Sequence, residues 1–272
     1  MRKVILGILV MLFSVGIFAQ ANLSVVNQLG IANSSDVDQY GLLNYSNTMQ
    51  VGLANDSEVD QIGILNGADV DQFGAFNSSD VMQIGILNSA EVDQDGLANG
   101  SGIFQLGIGN TAEVTQDGWF NESAIAQFGV TNMAQVGQYG IGNSAGVLQI
   151  GEDNLAQVLQ IGLGNDATAF QLGEDNYSGQ LQVGADNEAI AVQLGEDNFS
   201  LQIQAGLSNL ADHLQIGYGN AAITTQDGVA NWSFITQVGA YNFAWTNQEN
   251  LFHTSFVTQI GAGNVSLVNQ DN

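Results

Sequence analysis

Cysteine and proline are absent from this chain, and its lysine and arginine come to two residues, Arg2 and Lys3. Without cysteine there is no disulfide framework and no thiolate metal site. Proline removes a ladder hydrogen bond, so its absence from so long a chain fits uninterrupted strand pairing. Beyond residue 3 every charged residue is one of 27 acids. Binding to nucleic acid or to an anionic membrane surface needs cations on the protein, so both partner classes are set aside. Aromatic residues are 8% of the chain and methionines number five, which leaves little for an ordinary aromatic-rich core. Charged residues are also scarce, at 11%, which argues against a solvated disordered chain despite the abundance of Gly and Asn.

What the chain has begins at the N-terminus. Arg2 and Lys3 precede an apolar run from Val4 to Phe18, and Ala19-Gln20-Ala21 follows as a small-x-small sequence. A charged start, a short apolar core and an Ala-x-Ala end read as a secretory signal over residues 1–21, not as a membrane span. Removing it makes Asn22 the first residue of a mature region over 22–272, without a membrane span.

Asn22 is also where a repeat begins. A Gln stands at every eleventh position from Gln28 to Gln270, 23 in all. Counting each 11-residue unit from its Asn, position 1 is Asn in every full copy except His253, and position 3 is always Ser or Ala. Position 5 is Val, Ile or Thr in 18 of 23 copies, position 7 is the Gln, and position 9 is Gly except at Asn250 and Asn272. A fixed period of this kind dictates the architecture.

A strand alternates its faces with period 2. Asn66, Ala68, Val70, Gln72 and Gly74 share one parity and are the constrained positions, while Gly67, Asp69, Asp71 and Phe73 vary. Eleven is odd, so parity must be reset once per unit, at the two residues after Gly. A bend there calls for Gly at its border, because such bends use positive φ. Gly-Glu-Asp-Asn recurs at Gly151, Gly173 and Gly195, each 22 apart, so two units form one turn. The expected fold is all-β: a β-solenoid of about eleven 22-residue rungs, each made of two strand–bend units. Stacking sets Gln over Gln and Asn over Asn, as in the amide ladders of cross-β structures. The ladder is expected at Gln61, Gly63, Asn66, Ala68, Val70, Gln72, Gln83, Asn88, Gln94, Gln138, Asn143 and Gln149.

The run Gln-x-Gly-x-x-Asn-x-Ala-x-Val-x-Gln, as in Gln61–Gln72 and Gln83–Gln94, resembles the curlin repeat of bacterial curli amyloid subunits. The resemblance covers essentially all of 22–272. It implies a secreted β-solenoid that polymerises with itself into extracellular fibrils of the biofilm matrix at the bacterial surface. It also implies two further partners, a nucleator subunit and an outer-membrane export pore. The chain departs from the pattern in places. Both halves of each turn begin with Asn, where curlin units usually alternate it with Ser. The array is longer than a usual curlin array, and Asn22 opens it directly after the signal. The resemblance fits a major subunit and a nucleator alike.

The variable face carries its own columns. Asp36, Glu58 and Asp80 stand 22 apart, as do Asp69, Glu91 and Glu113. They read either as a solvated face that keeps rods apart or as a surface that responds to cations or pH. Glu152-Asp153, Glu174-Asp175 and Glu196-Asp197 stack at one bend and are the cation candidates, for Ca²⁺ if any; no resident cofactor is expected. From Leu148 to Leu214 the residue before each Gln is apolar: Leu148, Leu159, Phe170, Leu181, Val192, Ile203 and Leu214. Leu155, Tyr177 and Phe199 form another such column. Over the same stretch the inner position 5 lapses to Ala169, Gln180, Ala191, Gln202 and His213. The stripe reads as an interface, or as a local exchange of inner and outer faces.

Gln248 to His253 breaks the Gly and Asn columns together, and reads as a degenerate copy more than a cap, since the motif returns at Gln259. His213 and His253 both occupy repeat positions, and no nucleophile–base constellation stands out, so an enzyme is not expected. The leading functional expectation is a self-assembling structural subunit used in adhesion and cell aggregation. The alternative is a capped monomeric solenoid acting as a surface adhesin or as a ligand- or ice-binding module.

Overall fold

The computed structural model describes residues 21–271. The expected secretory signal falls on residues outside that range, apart from Ala21. From Leu23 onward the chain is strand, bend, strand without exception. β1 spans Leu23–Ile31, β2 Ser34–Leu42 and β3 Tyr45–Leu53, and the series runs on to β23, Val265–Gln270. Each strand has nine residues except β23, with six.

The strands wind into a parallel β-solenoid. Odd-numbered strands form one 12-stranded sheet and even-numbered strands an 11-stranded sheet, each in simple order along the axis. Pairing is parallel with a constant offset of 22 residues, as in Gln28 opposite Gln50 and Gln39 opposite Gln61. The register never slips, because a one-residue shift would turn every inner side chain outward. At about 4.8 Å per rung, eleven turns make a rod about 50 Å long.

Between the sheets lies a thin core. Ala68, Val70, Val81 and Val92 belong to an apolar segment that extends to Ala169. A second segment holds Ala222, Ile235, Ala244 and Val257. Position 3 is small because the sheets approach closely there, and position 5 is β-branched because that shape fits a pleated surface.

The bends use two left-handed residues. At position 9, Gly63 has φ 135° and Gly85 φ 134°. A Cβ on Gly63 would lie 1.8 Å from the carbonyl oxygen of Gly85 in the next turn, so glycine is enforced by the stack as well as by conformation. At Gly261, in the last turn, an added Cβ would meet nothing nearer than Asn264 Nδ2 at 3.6 Å. Position 11 is also left-handed and is not reserved for glycine: Leu65 (φ 59°), Phe76 (φ 58°) and Asp175 (φ 54°) all adopt it. The bend backbone is laddered too, with Leu65 N–H donating to Leu42 O at 3.0 Å and Gly67 N–H to Asn88 O at 2.8 Å.

Inner and outer faces do not exchange between residues 148 and 214. Ala169, Gln180, Ala191, Gln202 and His213 are all buried, so position 5 points inward there as elsewhere. The polar lapse is tolerated because the sheets compensate in size and hydrogen bonding. Gln180 reaches across the core from β15 (Tyr177–Ala185) to the carbonyls of Thr168 (2.8 Å) and Ala189 (3.2 Å) on the other sheet, where Ala169 and Ala191 leave room. Gln202 does the same to Ile190 and Ala211.

Candidate functional site: the stacked amide ladders

The Gln side chain at position 7 is long enough to lie flat in the core and hand one amide hydrogen to the next turn. Gln61 Nε2 donates to Gln83 Oε1 at 2.8 Å, Gln72 to Gln94 at 2.8 Å and Gln138 to Gln160 at 2.9 Å. The step recurs without a gap from Gln28–Gln50 to Gln248–Gln270, both 2.7 Å. Its second hydrogen crosses between sheets. Gln61 donates to Tyr45 O at 2.9 Å, Gln83 to Gly67 O at 2.8 Å and Gln149 to Met133 O at 2.9 Å. Both donors and the acceptor of each interior position-7 amide are therefore used, which is what makes its burial tolerable, whereas Oε1 of the position-5 Gln180 is buried without a partner.

Asn at position 1 builds a ladder at the bends. Asn66 donates to Asn44 Oδ1 through its backbone N–H (3.1 Å) and through Nδ2 (3.2 Å), and Nδ2 also reaches Gly85 O at 3.2 Å. Asn88 repeats this on Asn66 and Asn143 on Asn121. Along the rod, each Gln donates toward the C-terminal turn, whereas each Asn turns its Oδ1 that way and accepts. The sequence-expected ladder residues thus share one inner face: Gln61, Gln72, Gln83, Gln94, Gln138 and Gln149 form the core ladders, Asn66, Asn88 and Asn143 the bend ladders, Gly63 the bend, and Ala68 and Val70 the apolar core between.

The degenerate segment keeps the path. His253 N–H still donates to Asn231 Oδ1 at 3.0 Å, while the side-chain half of that contact is lost. The chain continues through β22 (Thr254–Ala262) in unchanged register.

His213 sits in the polar stretch of the core, fully buried. Its Nδ1 lies 2.8 Å from Ser200 Oγ and its Nε2 2.8 Å from Thr224 Oγ1, which in turn lies 3.0 Å from Ser233 Oγ. Burial pushes its pKa down to about 3, so the imidazole is neutral and serves as a strut between the sheets.

The outward acids fall in stacked rows. The charge of Asp80, then that of Asp60, raises the Glu58 carboxyl above its ordinary value. Asp60, Asp71 and Asp93 are raised first by partial burial, then by neighbours such as Asp38, Asp69 and Asp95 respectively. The stacked bend acids Glu152, Asp153, Glu174, Asp175, Glu196 and Asp197 are exposed. Asp153, Asp175 and Asp197 occupy the left-handed position 11, a conformation Asp tolerates better than most residues. Asp153 accepts a hydrogen bond from Thr131 Oγ1. A hydrogen bond with Asp197 pushes the Tyr218 phenol up to about 12. Among the described residues, no group of three or more His, Cys, Asp or Glu side chains is gathered closely enough to hold a metal ion.

The apolar stripe divides. Leu148, Phe170, Val192 and Leu214 lie on the even sheet, and Leu159, Leu181 and Ile203 on the odd sheet, so they form two columns on opposite faces. A longer column, not picked out from the sequence, lies at position 8 of the even sheet. It runs from Tyr40 and Ile62 through Leu106 and Ile150 to Ile216 and Ile260 and contains no charged residue. Reading every second unit separately brings it out; averaging the 11-residue units hides it, because position 8 of the odd sheet holds Asp95, Asp117 and Asp227.

These features define a repeat-built structural rod, a parallel two-sheet β-solenoid held together by internal amide ladders. The curlin associated repeat family matches four overlapping stretches, residues 66–96, 88–118, 107–140 and 132–162. Residues 66–162 therefore carry curlin associated repeats, the unit of a structural family, and the same 11-residue unit continues in register on both sides of the matched region. No curated protein matches the chain. No helix among the described residues is long and apolar enough to cross a membrane.

Proposed function

We propose that this chain is a secreted structural subunit that stacks end to end into curli-type amyloid fibrils of the extracellular biofilm matrix, where it serves adhesion and cell aggregation. In this reading residues 1–21 direct export and are removed. The observation that carries it is the unbroken Gln ladder. Every turn offers the next the same donors and acceptors, and the first and last described turns expose the same amides, as at Gln28 and Gln270, that are paired inside. An open parallel sheet edge with self-complementary amides is a template for another copy. The curlin associated repeats at residues 66–162 support the same reading.

The test is to purify residues 22–272 and follow them by electron microscopy and fibre diffraction. Unbranched fibrils with reflections near ~4.7 Å along the fibre and ~10 Å across it are expected. A chain that stays monomeric at high concentration, with and without Ca²⁺ and at mildly acidic pH, overturns the proposal.

A further inference from the structure

We infer that the outer face of the even sheet is a lateral docking surface for a second copy of this chain, rod beside rod. It concerns the side of the rod and goes beyond end-to-end stacking.

The face is defined by two columns that flank the Gln. From β6 (Ser78–Ile86) to β18 (Leu210–Tyr218) both are apolar on every even strand, as at Phe104 with Leu106, Leu148 with Ile150 and Phe170 with Leu172. On the odd sheet both flanking positions are apolar only on β3, with Met49 and Val51, and on the short patch of β13 (Leu155–Leu163), β15 and β17 (Phe199–Leu207). On either side of that short patch the odd sheet is acidic, with Asp93, Asp95 and Asp117 before it and Asp227 and Glu249 after it.

The even face also has relief. Three residues before the Gln stand Gly102, Ala124 and Gly146, small enough to floor a groove of about 570 Å³ walled by Phe104, Leu148 and Phe170. A ridge beside a groove on one surface is self-complementary under a two-fold axis, which sets each ridge over the other copy's groove.

Charge and periodicity choose the occupant. The described residues carry no lysine or arginine, so two copies repel through any acidic face. The three central columns from β8 (Gly100–Ile108) to β16 (Glu188–Glu196) hold no acid, so contact there brings no like charges directly together. An occupant that fits along the rod must also repeat at the rung spacing, and a second copy does so by construction.

Carboxylates border the face, Glu122, Asp166 and Glu188 on one edge and Glu152, Glu174 and Glu196 on the other. In a pair of rods these edges face each other across solvent, so salt strengthens the contact by screening them. Seven strands by five residue positions give about 30 by 13 Å, roughly 400 Å² per rod, about half of one side of a standard interface. A single pair is therefore weak, and rods stacked end to end add contacts to the same pair. That strengthening, unlike the contact itself, rests on the function proposed above.

The absence of cysteine supplies the probe. Ile150 lies on β12 (Ser144–Glu152), the middle strand of the face and so beside the two-fold axis, and Ile161 holds the equivalent position on the odd sheet. Ile150→Cys and Ile161→Cys are oxidised separately, covalent dimers are measured on non-reducing gels, and filaments lying abreast are counted by electron microscopy. The expected result is at least about tenfold more dimer for Ile150→Cys, rising between about 10 mM and about 150 mM salt. Leu148→Glu removes the pairing, while Leu159→Glu on the odd sheet retains it; unchanged circular dichroism confirms that both variants fold. Equal cross-linking at the two positions, cross-linking that falls with salt, as for a cationic contaminant docking in place of a second copy, or pairing that survives Leu148→Glu overturns the inference. Face-specific dimers without long fibrils sink the proposed function and leave this contact standing; fibrils that remain single, with no face-specific dimers, do the reverse.

Discussion

Each buried amide in this rod is a commitment to its neighbours above and below. Gln138 accepts from Gln116 at 2.8 Å, donates to Gln160 at 2.9 Å and donates to Glu122 O at 2.8 Å. Gln138→Leu leaves a buried donor and two buried acceptors short of their partner, at about 1–3 kcal/mol each, so a loss of several kcal/mol is expected in urea unfolding. Tyr139→Ser, on the exposed face one residue away, is expected to cost about 1 kcal/mol or less. Equal tolerance at the two positions would mean that the ladder contributes nothing to stability. The opposite holds for the position-3 hydroxyls of the early turns. Ser46, Ser57 and Ser79 are buried with no hydrogen-bond partner for Oγ. Ser57→Ala and Ser79→Ala are therefore expected to leave stability unchanged or raise it by about 1 kcal/mol each, read by the shift in urea midpoint. This accounts for the free exchange of Ser and Ala at these turns: the site requires small size and makes no use of the oxygen, unlike Ser200 and Ser233, whose hydroxyls bond within the polar stretch around His213.

At the scale of one strand and its bend, much was legible and one thing was hidden. The invariant parity of Asn66, Ala68, Val70 and Gln72 identified the inner face, because only buried positions constrain residue type in every copy. The recurrence of Gly-Glu-Asp-Asn at 22 identified the turn. Position 11 stayed hidden, since Leu65, Phe76, Asp175 and Gly109 all stand there, yet all are left-handed. The stack imposes that conformation through backbone hydrogen bonds, and no side chain reports it. The same separation of causes makes a prediction about glycine. Gly85→Ala would bring a Cβ to 1.9 Å from Gly107 O, whereas Gly261→Ala meets only a side-chain nitrogen at 3.6 Å. Both carry the strain of positive φ, at about 1–3 kcal/mol. Gly85→Ala is expected to cost well beyond that and to disrupt neighbouring turns, seen as lost hydrogen-exchange protection around residues 63 to 107. Equal cost at the two sites would locate the whole requirement in φ. The outward columns were harder to read for a related reason: the residues before each Gln from Leu148 to Leu214 look like one stripe, and only the division into two sheets sends them to opposite sides.

Over the whole rod, acid acts in opposite senses at the two ends of the pKa range. His213 is held at about 3, below its ordinary 6.5, so the folded state binds fewer protons there than the unfolded chain. The stability it contributes is complete above about 6.5 and falls by about 1.4 kcal/mol per pH unit down to about 3. Glu58, Asp60, Asp71 and Asp93 are raised, so the folded state takes up protons more readily than the unfolded chain. They add stability as pH falls through their raised values toward the ordinary carboxylate range. Asp212, raised by burial, acts in the same direction beside His213. Between pH ~7 and pH ~4.5, hydrogen exchange is expected to show tighter protection over residues 34 to 93 and weaker protection over residues 200 to 233. His213→Val removes the second effect and leaves the first; a uniform response along the chain would count against both assignments. The two amide ladders have a consequence for length. In the Gln column every side-chain dipole has its nitrogen end toward the C-terminal turn, while in the Asn columns Oδ1 accepts from that turn and Nδ2 also donates to one of its glycine carbonyls. A structure whose aligned dipoles all added would accumulate opposite partial charges at its two ends, as a long helix does. Here the Asn amides engage the C-terminal turn with both ends and add little to the sum, while the Gln amides all align, so the rod keeps a fixed polarity, with Gln acceptors toward its N-terminal tip and Gln donors toward its C-terminal tip at any length.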